Sequence, residues 1–569
     1  MQKHWNIKEL PPLEKVSQLS LILNDVGTPL ATLLIQRGIN DFEKARKFFR
    51  PDLSQMHNPF LMKDMDKAVE RLEKAILNNE KILIYGDYDV DGTTSVAMVY
   101  SFLAHFYNNL EYYIPDRYSE GYGISYKGID YAEQHNFSLI IALDCGIKAV
   151  EKIEYANQKN IDFIICDHHR PGEILPSACA VLDPKRNDCN YPYKDLSGCG
   201  VGFKLLQAYA EKIKIDFKFL EECFDLLAIS ICADIVPITA ENRVFVAFGL
   251  KRLNNFPRPG IVALKKLSKS KNDLTVSDVV FQLAPRINAA GRMENGTSAV
   301  KVLLAKNEEE AEQTSDFINS QNINRQGLDK NITLEAINII SNSEVYLKRK
   351  STVVFKEDWH KGVVGIVASR LIETYYKPTI VLTQSNGTIS GSARSVKGFD
   401  VYNAIDACSE LLEQFGGHMY AAGLTLKHEN LEKFICRFEE VVSATIQEYM
   451  LTPEEEVDAE IEFADISKKF VNVLKQFAPF GPENMNPIFI ARNVYAKPFA
   501  KVVGKNHLQF KAFQQQCPEI IFSVVGFGFG HALPIVTSGK PFDMLFHVGE
   551  NLWNDKIQVQ LKLIDIRKS

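Results

Sequence analysis

The apolar run Ile82-Leu83-Ile84-Tyr85 leads into Asp87-Tyr88-Asp89-Val90-Asp91-Gly92, and this junction constrains the chain more than any other stretch. A short apolar run reads as a buried strand, and Gly92-Thr93-Thr94-Ser95 reads as the opening of a helix. Three carboxylates at the mouth of a strand repel one another. A divalent cation is the simplest partner that offsets them. On a regular strand, residues two apart share a face, which would crowd all three together. Because the strand gives way to a helix, the three need not be equivalent.

The pattern recurs. Apolar runs at residues 111–114, 139–143, 163–166 and 180–182 alternate with helical segments such as 95–106 and 149–159. Strands alternating with helices indicate an α/β fold with an open, doubly wound parallel sheet. Ligands of such sheets bind at the carboxyl ends of the strands. Asp144 directly follows 139–143, and Asp167-His168-His169 directly follows 163–166. Asp234 follows an apolar helical stretch at 219–231. An isolated Asp behind a strand most often caps a helix, but caps alone do not place Asp or His at four element ends. Carboxylates with one or two imidazoles suit Mn²⁺ or Mg²⁺, and the lack of thiolate pairs argues against structural zinc. Cys145 and Cys166, beside these residues, read as small packing groups.

With 569 residues the chain exceeds one hydrophobic core, and three or four domains are expected. Residues 1–65 read as a helical lead-in, with an amphipathic helix at 64–79. Residues 66–265 hold the sheet and the metal candidates. A helical connector spans 266–345, its charged stretch 308–340 forming one long helix or two. A second α/β unit at 346–450 has strands at 352–355, 379–382 and 388–392 and helices at 363–375 and 431–447. Short strands at 459–463, 487–495, 508–513, 520–525, 544–548 and 557–564 make 451–569 a small OB-like barrel.

No apolar run reaches the roughly 18 residues that span a bilayer, and the N-terminus has no apolar leader core. The 10 cysteines occur singly. Together these features predict a cytoplasmic chain with reduced thiols and no membrane partner. The net charge of −6 argues only weakly against nucleic acid, since a carboxylate-rich metal site carries charge that its ion cancels.

Phosphate-binding groups are expected near the metals. Arg117 either pairs with Asp116 or Glu120 or grips a phosphate. Gly391-Ser392-Ala393-Arg394 ends a strand with small residues, a hydroxyl and a guanidinium, a set that lets backbone and Arg approach phosphate oxygens. Gly416-Gly417-His418 is either a helix C-cap and turn or part of the same site. Arg286 and Arg292 are candidates for backbone contact. In the barrel, Lys501, Lys505, His507, Phe510, Lys511 and Phe513 interleave cations and rings, which suits single-stranded nucleic acid.

The segments GDYDVDGTTS, ALDCG, CDHH and ADIVP resemble the motifs of the DHH phosphoesterase superfamily. With RINAAGRM they are most similar to its single-strand-specific 5′→3′ DNA exonucleases, and GGHMYAAG resembles the signature of the substrate-binding DHHA1 domain. The resemblance implies two Mn²⁺ or Mg²⁺ ions on Asp89, Asp91, Asp144, His168 and Asp234, with Asp144 as the bridge. It places Asp87 in support and His169 at the scissile phosphate. It implies that Arg117, Ser392 and Arg394 form a pocket for a 5′-terminal phosphate. The implied activity is release of 5′ mononucleotides from single-stranded DNA in recombination and repair, beside a helicase and a single-strand-binding protein. The alternative is a small-substrate phosphoesterase acting on oligoribonucleotides, cyclic dinucleotides or pyrophosphate. Such enzymes need only the two α/β lobes.

Overall fold

The structure, a computed structural model, describes residues 3–268, 272–293, 295–385, 387–553 and 556–569. These divide into two bodies. One comprises Trp5–Ala284, Leu303–Lys306 and Glu456–Ser569; the other comprises Pro285–Val302 and Asn307–Glu455, with the N-terminal residues up to His4.

After strand β1 (His4–Ile7), the first body has short helices at Leu13–Ile22, Thr28–Gln36 and Phe42–Phe49. Helices this short cannot bury their apolar faces alone. The lead-in expected at 1–65 therefore does not stand apart. Leu19, Leu30, Leu33 and Leu34 share one core with Phe463, Phe477, Phe489 and Phe546 of the C-terminal region.

The central sheet contains β2 (Lys81–Gly86), β3 (Leu110–Tyr113), β4 (Phe137–Leu143), β5 (Asp162–Cys166) and β6 (Ala180–Leu182). Its order is β3-β2-β4-β5-β6, and every pairing is parallel. β2, β4 and β5 are buried almost residue by residue, which is why they read as unbroken apolar runs rather than alternating ones. The carboxyl ends of β2, β4, β5 and β6 lead into Asp87, Asp144, Asp167 and Asp183.

The second body has a sheet of β7 (Thr352–Phe355), β8 (Thr379–Ser385), β9 (Thr388–Arg394), β10 (Gln414–His418) and β11 (Ala421–Leu426). Its order is β10-β11-β9-β8-β7. Only β7 and β8 pair in parallel. Gly416 and Gly417 lie in a hairpin strand, so their reading as a helix C-cap is corrected. The stretch Glu308–Ser341 is one helix of 34 residues.

The C-terminal strands are β12 (Glu454–Val457), β13 (Ala459–Glu460), β14 (Phe489–Ala496), β15 (Lys501–Val503), β16 (His507–Gln514), β17 (Cys517–Gly526), β18 (Phe542–Trp553) and β19 (Lys556–Lys568). The order β14-β18-β19-β17-β16, with β14 also pairing β16, closes five strands into a barrel. The strand expected at 459–463 is only two residues long and runs into the turn Phe463–Asp465. A helix, Lys468–Lys475, lies where only strands are expected. It buries Phe470, Val471 and Leu474 in the shared core. No helix among the described residues is long and apolar enough to cross a membrane.

Candidate metal centre

Asp89 is the N-cap of the helix Val90–Leu103, its Oδ1 accepting the Gly92 N–H at 3.0 Å. The capping and site readings of this residue therefore coincide: the cap fixes where the carboxylate points. Asp91, in the first turn, is buried. Its Oδ2 accepts the Gly198 N–H at 2.7 Å, while Oδ1 accepts the Cys199 N–H at 2.9 Å and the Ser230 hydroxyl at 2.6 Å. The donors Gly198 and Cys199 open the helix Gly198–Ile213, whose positive end faces the carboxylate. Sequence reasoning missed this support, though Ser197-Gly198-Cys199-Gly200 has the form of a helix N-cap. Asp87 is fully buried at the end of β2 and accepts the Gly123 N–H at 3.3 Å. Burial first, and then the charge of Asp89, push it well above the carboxylate range.

Asp144 leaves β4 in the left-handed region, φ +59. His168 leaves β5, and its Nε2 lies 3.2 Å from Asp144 Oδ1, 3.6 Å from Asp234 Oδ2 and 3.7 Å from Asp91 Oδ2. Asp234 caps the C-terminus of the helix Phe224–Ala233. Asp144 Oδ1, Asp234 Oδ2 and both ring nitrogens of His168 are buried without a hydrogen-bond partner, as is Asp87 Oδ2. Each such group costs about 1–3 kcal/mol if left unsatisfied. Burial, and then neighbouring carboxylates led by Asp91, raise Asp144 and Asp234 well above the usual range. Burial lowers His168 to about 4 despite Asp91, leaving the neutral imidazole that ligates metals. A hard divalent cation would satisfy Asp144 Oδ1, Asp234 Oδ2 and His168 Nε2 together, and the oxygen-plus-imidazole set fits Mn²⁺ or Mg²⁺. Two groups, Asp144/His168/His169 and Asp91/His168/Asp234, each have donor atoms within 4.8 Å of one another.

His169 differs from its neighbour. Its Nδ1 lies 2.7 Å from Asp167 Oδ1, and its Nε2 lies 3.2 Å from the Tyr122 hydroxyl. Burial opposes protonation, but the Asp167 hydrogen bond and charge raise His169 to about 9. Asp167 also accepts the N–H groups of Ile147 and His168, at 2.9 and 2.7 Å. It orients the triplet. Tyr122, which also donates to the Asp144 carbonyl at 3.3 Å, carries no signal in motif spacing.

The ion pairs considered for Arg117 do not form. Asp116 accepts the Tyr118 and Ser119 N–H groups, and Glu120 accepts from Tyr113 and Ser125. Arg117 instead lies over the Tyr88 ring, 5.0 Å from its centroid.

In the second body, Arg394 Nη1 donates to Ser392 Oγ at 2.9 Å. A Cβ on Gly365 would lie 3.0 Å from both side chains, so glycine leaves them room at the start of the helix Val364–Tyr375. Ser392 pairs in register with Gly423, and His418 with Ala421, so the GSAR and GGHMYAAG segments belong to one sheet. His418 is exposed. Arg286 donates to Asn319 Oδ1 at 3.2 Å and Arg292 to the Gly362 carbonyl at 3.3 Å. In the barrel, Phe510 is a core residue and so has no face for stacking. Phe513 is half-buried with Lys497 Nζ 4.0 Å above it, and Lys501, Lys505 and Lys511 are exposed.

Comparison with known proteins agrees with this geometry. The DHH family N-terminal domain matches residues 81–231, the DHHA1 domain 348–444 and the RecJ OB domain 457–565. The single-stranded-DNA-specific exonuclease RecJ of Bacillus subtilis is 36% identical over 566 residues, covering 99% of this chain and 70% of that protein. The Escherichia coli protein of the same name is 32% identical over 78% of this chain and 80% of its own length. The crystal structure of RecJ from Thermus thermophilus in complex with Mn²⁺ superposes with a TM-score of 0.84 at 25% identity, covering 100% of this chain and 80% of that one. With 36% identity over 99% of its length to a RecJ protein, all three domain matches and the DHH triplet at the sheet edge, this chain belongs to the RecJ family of DHH phosphoesterases.

Proposed function

We propose that this chain is a metal-dependent exonuclease that degrades single-stranded DNA from its 5′ end and releases 5′ mononucleotides. The observation that carries the reading is the convergence of buried, unpartnered donor atoms from Asp144, His168 and Asp234 at the carboxyl edge of a parallel sheet. Asp89, Asp91, Asp144, His168 and Asp234 would hold two Mn²⁺ or Mg²⁺ ions. When bound, the ions supply Lewis acidity for water attack on a phosphodiester and neutralise the leaving oxygen.

The chain's own groups prepare that step. The helix end at Gly198 and the Ser230 hydroxyl hold Asp91 in one orientation. Asp167 holds His169 by its Nδ1 proton and keeps the ring cationic at neutral pH, which places a positive charge for the scissile phosphate. Asp87 accepts the Gly123 N–H and so ties the strand end before Asp89 to the segment at Gly123. Arg117 is a phosphate-binding group of the first body. In the second body the hydrogen-bonded pair Arg394 and Ser392 grips a 5′-terminal phosphate, which explains polarity, because only an end offers one. His418, Arg286 and Arg292 are backbone contacts, and the barrel adds cations and rings for the strand.

The runner-up is a small-substrate phosphoesterase. The RecJ OB domain match at residues 457–565 favours a polymer substrate, because a strand-binding barrel serves no small ligand. In the cell we place the enzyme in the cytoplasm, in recombination and repair, with a helicase and a single-strand-binding protein as partners. The test is incubation of the purified protein with Mn²⁺ and end-labelled single- and double-stranded DNA. Mononucleotides released from the 5′ end of the single strand are expected. Cleavage of cyclic dinucleotides with intact DNA would favour the runner-up.

A further inference from the structure

We propose that a cavity of about 440 Å³ in the first body, lined by none of the metal candidates, binds a nucleotide through its phosphate. Arg37, Lys44, Lys47 and Arg243 line it, and Glu483 is the one carboxylate among its lining residues. Lys44 is engaged with Asp41 at 3.5 Å; the other three cations make no ion pair among the described residues. Arg243 is 4% exposed and donates only to backbone carbonyls, those of Phe48, Gln476, Phe477, Ala478 and Pro479. Arg37 donates to the carbonyls of Leu33 and Met485 and to Asn484 Oδ1. The carboxylate whose charge acts on Arg37, that of Asp458, is already paired with Lys8 at 2.8 Å. Neutral carbonyls satisfy the N–H groups but leave the positive charge standing. Lys47 is exposed and makes no ion pair among the described residues. A second cavity shares Lys47 and adds Asp52, Arg46, which is paired with Glu43, and Arg50, which donates to the Phe49 carbonyl and to Gln476 Oε1.

This is an excess of cations around a space of ligand size, and an anion is what it lacks. The lining also holds apolar groups. Phe48, with the Arg243 guanidinium 3.9 Å over its ring, and Ile238 offer surfaces for a planar base. The helix Ala240–Asn255 begins at the cavity and adds its positive end. Phosphate on Lys47 and a base against Phe48 describe a mononucleotide. It is either free, as released by the reaction, or a unit of a bound strand. The pocket's chemistry stands by itself; only the identification of a free occupant with the reaction product rests on the exonuclease reading.

The test uses the full chain in EDTA, so that binding is read without metal and without turnover. Calorimetric titration with deoxyadenosine monophosphate, inorganic phosphate, deoxyadenosine and an oligothymidylate is compared between wild type and Lys47→Glu, with Lys47→Ala as a milder control. Saturable binding of the monophosphate, absent for the nucleoside and weakened at least tenfold by Lys47→Glu, is the expected result. Nuclease rates at low product should stay at the wild-type level. If the oligonucleotide is weakened and the monophosphate does not bind, the occupant is a strand. Equal binding by both proteins, no binding of either nucleotide, or binding of inorganic phosphate as tight as that of the monophosphate overturns the proposal. Because binding is read without activity, a failed nuclease assay leaves this result intact.

Discussion

Gly198 and Asp144 meet at a distance that admits no side chain: a Cβ on Gly198 would lie 2.5 Å from Asp144 Cβ and 2.7 Å from its Oδ1. The same glycine donates its N–H to Asp91. One residue outside every metal motif thus holds two candidate ligands. Gly198→Ala should push Asp144 aside and lower nuclease activity by about 100-fold, the scale expected of a 1 Å misplacement. Steady-state rates in Mn²⁺ check it, with circular dichroism showing a retained fold.

Asp144 is the better target for separating charge from shape. Asparagine tolerates its positive φ and keeps its volume. Asp144→Asn removes one of several mutually repelling buried carboxylates, so in EDTA it should melt above wild type. Mn²⁺ should stabilise wild type by about 3 kcal/mol at a hundredfold excess over Kd and leave the variant unchanged. Equal Mn²⁺-induced Tm shifts for the two proteins would sink the ligand assignment.

Asp183, at the end of β6, is buried with Oδ2 unpartnered, and burial raises it to about 7. An acid whose folded pKa exceeds its unfolded value holds its proton longer in the native state. Stability is then lost as pH rises from about 4 to about 7 and stays lower above that. Asp183→Asn should therefore raise Tm at pH 8 in EDTA and converge on wild type near pH 4. A constant difference across that window would contradict the shift.

Arg394 is aligned against Ser392, and Gly365 leaves both side chains room. Arg394→Ala should reduce the preference for 5′-phosphorylated over 5′-hydroxyl ends. Loss of a charged hydrogen bond of about 1.5–3 kcal/mol corresponds to roughly 10- to 150-fold in that ratio. Competition between the two labelled substrates measures it directly.

Phe477 has no exposed surface, and its ring meets those of Phe48 and Phe49 edge-on at 5.4 Å each. Phe477→Ala should cost about 3–5 kcal/mol. The N-terminal helices and the barrel should loosen together, which hydrogen exchange on both segments would show. Protection lost in the barrel alone would argue against a common core.

Much of the fold is legible locally. Runs such as 139–143 and 163–166 are continuous apolar strands because both faces of a parallel sheet are covered, and each ends at a residue that marks the edge. Where that logic is weaker, the reading fails. Gly416-Gly417 fits a helix end as well as a hairpin strand until pairing with Ala422 and Gly423 decides it. Phe510 and Phe513 look alike in sequence, yet one faces the barrel core and the other lies under Lys497.

By itself the sequence determined the residue types at each strand end, and hence the chemistry those ends can perform. Strand periodicity and donor identity are local properties. The tertiary structure alone decided which atoms converge. Asp91 is held by Gly198, 107 positions away, and by Ser230, 139 positions away. His168 reaches carboxylates from three other elements. The N-terminal helices find their core in a barrel more than 400 positions downstream. Such contacts follow from the closing of sheets and the burial of incomplete faces, which no window of sequence contains.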